Sequence, residues 1–176
     1  MKRLLLFLVS IIFFLSSKSQ EIKDCDICKY KTAFNYLICD SISWEGSVVQ
    51  LNNTFVSDSI TSIDFVYFWN ELKKENESDE ECYSRISKLR ENRKHKPIYS
   101  LSLSNIFHDK IDNPSFIVFF SKAEDNRLFC EVLPLNKHKI LSYSQNTYFN
   151  ESYIYMFVFQ DNDLMKKVTK KKIAYN

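Results

Sequence analysis

The sequence predicts an α+β domain, with N-terminal helices packed on a curved antiparallel sheet built from the C-terminal half. Three observations carry this. Apolar residues recur three and four apart between residues 24 and 40. Ser78 and Glu81 match a capping box at the start of a further helix. Beyond residue 116 the chain changes to short apolar or alternating runs separated by polar turns.

The leader comes first. Lys2 and Arg3 precede an apolar run from Leu4 to Leu15 broken only by Ser10, and Ser17-Lys18-Ser19 places small residues where a signal peptidase cuts. Residues 1–19 are therefore expected to be a signal peptide, and 20–176 a single domain, exported to the periplasm or outside the cell. Removing Lys2, Arg3 and Lys18 turns the net charge of +2 into −1, which weighs against nucleic acid as a partner. No later apolar run has spanning length, so no stable membrane span is expected once the leader is gone.

The elements follow in order. Asp24 caps a helix with apolar positions Ile27, Tyr30, Phe34, Leu37 and Ile38, ending near Asp40. A short strand fits 48–51 and a turn 52–54. A second helix is expected over 60–73, on the spacing of Ile63, Val66, Trp69 and Leu72. The third begins at Ser78, with Asp79, Glu80 and Glu81 at the favourable end of its dipole and Pro97 as its outer limit. Strands are expected at 98–103, 116–120, 128–133, 153–159 and 164–175. Polar turns are expected at 124–126 and 160–163, and in the second Asn can take positive φ where glycine is missing.

That scarcity of glycine excludes whole function classes. Gly46 is the single glycine of 176 residues. Phosphate-cradling loops need several glycines close together, so P-loop NTPases, glycine-fingerprint dinucleotide folds and protein kinases are excluded.

On the strand over 153–159, Tyr153, Tyr155, Phe157 and Phe159 share one face, and Ile154, Met156 and Val158 the other. Two apolar faces mark a central strand covered on both sides. Tyr153, Tyr155 and Phe157 are the candidate contact surface for a small ligand or a protein, because aromatic side chains offer large area with few rotamers. The helix-then-sheet order resembles the cone-shaped NTF2-like architecture, by order of elements alone. That resemblance implies a pocket or dimer surface between helices and sheet.

Five cysteines, Cys25, Cys28, Cys39, Cys82 and Cys130, lie beyond the leader, where an oxidising compartment permits disulfides. Cys25 and Cys28 form a C-x-x-C, the spacing of redox motifs. His95, His108 and His138 show no metal-ligand spacing, and no metal or cofactor is expected. Lys166, Lys167, Lys170, Lys171 and Lys172 crowd the last strand. They serve either to meet an anionic surface or to keep other chains from pairing with an edge. The expected function is a non-catalytic binding or interaction module using the aromatic sheet face or an adjoining cleft. The alternatives are a thiol-redox enzyme on Cys25 and Cys28, and a structural envelope component.

Overall fold

The computed structural model describes residues 24–93, 98–99, 103, 106–107, 111–135 and 151–174. The leader, the three histidines and the stretch 136–150 lie outside the described residues.

Helix α1, Asp24–Cys39, forms as the apolar spacing requires. Its buried stripe is Tyr30, Ala33 and Leu37, with Phe34 half-buried beside it. A two-stranded hairpin follows, β1 (Ser41–Trp44) and β2 (Ser47–Gln50). Its two turn residues, Glu45 and Gly46, both have positive φ, 49° and 78°. A two-residue hairpin of type I′ needs that backbone at both positions.

Strand β3, Thr54–Ile60, was not expected; it begins at the end of the expected turn 52–54 and ends at the first residue of the expected second helix. A 3₁₀ turn, Phe65–Phe68, runs directly into a single helical turn, α2, Trp69–Leu72. The expected helix over 60–73 is thus replaced in its first half. Ser57, Asp58, Ser59, Thr61 and Ser62 supply side-chain oxygens that compete for backbone donors and oppose a helix. Asp64 then starts the helical segment locally, accepting from the Val66 N–H at 3.1 Å. The third expected helix is α3, Asp79–Arg93. Its capping box forms in both directions: the Glu81 N–H donates to Ser78 Oγ (3.2 Å), and the Ser78 N–H donates to Glu81 Oε2 (2.9 Å).

The remaining strands are β4 (Ile98–Tyr99), β5 (Phe116–Phe120), β6 (Arg127–Pro134), β7 (Glu151–Phe159) and β8 (Met165–Ala174). With β3 they make one sheet, ordered β4-β3-β5-β6-β7-β8. Strands β5 to β8 form an antiparallel meander, while β3 joins β5 in parallel through Thr54↔Phe116 and Val56↔Val118. The fold is α+β, with helices early and a mostly antiparallel sheet late. Of the strand expected over 98–103, Ile98–Tyr99 is a strand, whereas Leu103 is helical, its carbonyl accepting from the Phe107 N–H at 3.2 Å. The β5–β6 turn gives positive φ to both Asp125 and Asn126, 49° and 57°. Short amides and carboxylates thus do the work of absent glycine.

Helical layers cover both faces of the sheet. On one face α1 and the β1–β2 hairpin pack over Val118, Phe120, Leu128, Cys130, Tyr153, Tyr155 and Phe157. On the other, the 3₁₀ turn and α3 place Phe65, Phe68, Cys82 and Ile86 over Phe129, Ile154, Met156 and Ile173. Each large side chain so buried contributes about 1.5–3 kcal/mol. β7 lies between β6 and β8 and carries residues into both layers.

Candidate functional site

Tyr153, Tyr155 and Phe157 lie on the β7 face beneath α1, as the two-residue period places them. All three are buried, Tyr155 and Phe157 at 0% exposure. The Tyr155 hydroxyl donates to Asp40 Oδ2 at 3.0 Å, just past the end of α1. The Tyr153 hydroxyl donates to the Ser43 carbonyl in β1 at 2.7 Å. The Phe157 ring meets Tyr36 of α1 edge-on, with centroids 5.9 Å apart, and stacks on Tyr155 at 6.1 Å. These side chains tie α1 and the hairpin to the sheet. A ligand could reach them only if α1 moved aside. Burial, reinforced by the neighbouring Asp40 carboxylate, pushes the Tyr155 phenol well above its ordinary pKa, so it is no acid near neutrality.

The cysteines separate into two classes. Cys82 and Cys130 are buried free thiols. Burial raises both pKa values, with Glu77 adding to the effect at Cys82 and Glu131 at Cys130. A raised pKa withholds the thiolate, the nucleophilic form. Cys28 and Cys39 are exposed free thiols at opposite parts of α1. Cys25 belongs to the same helix, but its side chain lies outside the described residues. No disulfide joins the described cysteines.

A polar cleft of about 360 Å³ opens where the start of α1 meets the β5–β6 turn. Its floor is Lys29, only 8% exposed. That ammonium sits 3.2 Å from Asp163 and 3.8 Å from Asp26, and donates to Asn126 Oδ1 at 3.4 Å. Asn126 in turn donates to Asp161 at 2.9 Å. The buried charge is therefore neutralised by two carboxylates and further satisfied by a neutral amide oxygen. A second hollow of about 560 Å³ runs along the outer side of α3 past Glu80, Ser84, Arg85 and Lys88. Among the described residues no group of three or more His, Cys, Asp or Glu could hold a metal ion.

The lysine-rich strand is the sheet's long edge. β8 has ten residues, pairs with β7, and has no further strand beyond it among the described residues. The opposite edge, β4, has two described residues. Alternation divides the β8 lysines between the two layers. Lys170 reaches toward α1, donating to Asp40 Oδ2 and to the Ser41 carbonyl, both at 2.8 Å. Lys171 reaches the other layer, donating to the Tyr67 carbonyl at 2.6 Å and to Glu71 at 3.0 Å. Its ammonium also lies 5.2 Å from the centre of the Phe68 ring. Lys172 pairs with Glu151 at 2.8 Å, and that hydrogen bond raises its pKa. Lys166 and Lys167 are exposed and have no ion-pair partner among the described residues. Two lysines thus fasten the covering layers to the edge strand, Lys172 ties it to β7, and two project from it.

Asp40 belongs to no motif that would single it out. It reads as the end of a helix, yet it gathers Tyr155, 115 residues away, and Lys170, 130 residues away. Only the pairing of β7 with β8, which sets Tyr155 opposite Lys170, brings the three together. This sequence matches no known protein family, no curated protein and no solved structure.

Proposed function

We propose that the chain is an exported, non-catalytic binding module whose partner docks along the β8 edge. One observation carries this reading: among the described residues β8 is a long sheet edge with no strand beyond it, and two of its lysines have no ion-pair partner. The aromatic face supports it indirectly. With Tyr153, Tyr155 and Phe157 committed to α1 and the hairpin, contact with a partner falls to surface elements. The leader-like pattern of residues 1–19 supports export. The helices followed by the β5–β8 meander support the NTF2-like likeness as architecture. The α3 layer on the opposite face stands apart from the one-sided packing that the likeness implies.

A photo-crosslinking amino acid placed at Lys167, and separately at Ser84 on α3, tests the reading in cells that export the protein. The expected result is a discrete adduct from position 167 alone, on material whose intact mass begins at Gln20. Adducts from Ser84 alone, from neither position, or on material retaining Met1 would count against it. A second reading, thiol-redox chemistry, draws on the exposure of Cys28 near the start of α1, three residues after Cys25. Thiol titration of the native secreted protein separates the two: a redox pair cycles, a bystander pair does not.

A further inference from the structure

We infer that the β8 edge takes an acidic, extended peptide segment as an additional strand, an inference that rests on the binding reading above. An edge strand presents a row of unpaired backbone N–H and C=O groups, and an incoming extended chain satisfies them. Strand β8 offers that row over residues 167–174. Lys166 is skipped in the register between β7 and β8, so the edge is irregular at its start and regular afterwards.

Charge decides which chain fits. The sequence Met165–Ala174 carries five lysines and no acidic residue. A second copy aligned along β8 would set lysine against lysine, which like-charge repulsion disfavours. An acidic strand meets the opposite situation. Lys170, Lys171 and Lys172 are held by Asp40, Glu71 and Glu151, but Lys166 and Lys167 are exposed with no ion-pair partner among the described residues, so carboxylates at that end of the added strand find a cation. The row of backbone groups also separates a peptide from an anionic membrane. A flat surface would engage one row of lysines and leave the backbone groups unpaired.

The test uses the purified protein and three probes: an alternating Glu/Val decapeptide, the same peptide N-methylated at every second residue, and phosphatidylglycerol vesicles. Fluorescence anisotropy should give saturable binding of the unmodified peptide, weakening about tenfold or more between low and high salt. Hydrogen exchange should show new protection confined to β8. The Lys166→Glu/Lys167→Glu variant alters two exposed side chains and should keep the fold while weakening the peptide about tenfold. Equal binding of the N-methylated peptide would overturn the added-strand geometry. Vesicle binding without peptide binding, or no saturable binding at all, would overturn the acidic-peptide class. In either case an adduct from position 167 would leave the binding reading standing.

Discussion

The two faces of β7 are both buried, by different means. Toward α1, the strand presents tyrosines whose hydroxyls reach defined acceptors, Asp40 and the Ser43 carbonyl. Tyr30 joins them from the helix side, donating to the Ser121 carbonyl at 3.0 Å and accepting from the Ala123 N–H at 3.2 Å. Toward α3, the strand presents Ile154 and Met156 against Phe68, Cys82 and Ile86. The charges of that layer stand at its rim, where Arg85 meets Glu77 at 2.7 Å and Arg90 meets Asp64 at 2.7 Å. The difference is instructive. A layer with interior hydroxyls accepts few alternative packings, because every buried donor needs its own partner. A layer held by aliphatic contact and a charged rim is fixed less by direction than by volume.

The largest effect should come from the aromatic layer. Tyr155→Ala removes a fully buried ring and should cost about 3–5 kcal/mol by urea denaturation. Ile86→Ala in the other layer should fall toward the lower part of about 2–5 kcal/mol. A reversal of that order would mean that α3, not α1, is the principal cover of the sheet. A smaller effect isolates the hydroxyl. Tyr155→Phe keeps the ring and drops its bond to Asp40, which should cost about 1 kcal/mol. No change in the denaturation midpoint would remove direction as the distinction between the layers.

The smallest effect concerns the rim and appears only in acid. The Arg85 guanidinium, followed by the Lys74 N–H, holds the Glu77 carboxyl down to about 2. Its folded pKa thus lies below the unfolded value of about 4.3. The resulting stability is fully present above the unfolded value and drains away as pH falls toward 2. Urea midpoints recorded across that window should decline, and Glu77→Gln should flatten part of the decline. A variant profile parallel to the parent's would show that the rim pair does not couple to folding.

Much of this arrangement is legible from local pattern. The stripe of α1, the Ser78/Glu81 box and the strands β5 to β8 each follow from residues near one another in sequence. The two-sided burial of β7 follows from its alternation. The misread segment is 60–73, where an apolar spacing fit for a helix sits beside a serine- and aspartate-rich run that ends a strand. Propensity was outweighed there by pairing of β3 with β5, a partner about sixty residues away. The same reason hides Asp40 and the internal duties of Lys170 and Lys171. The charges are visible in the sequence, but their counter-ions are assigned only by tertiary contact.

The clasp between Asp40 and Lys170 joins the first described helix to the final strand. A chain emerging N-terminus first therefore cannot complete either cover until its last dozen residues are free. Until then β7 is itself a bare margin, and Asp40 and Glu71 await their lysines. A truncation that removes Lys170 and Lys171 would act on Asp40 and Glu71 as much as on β8.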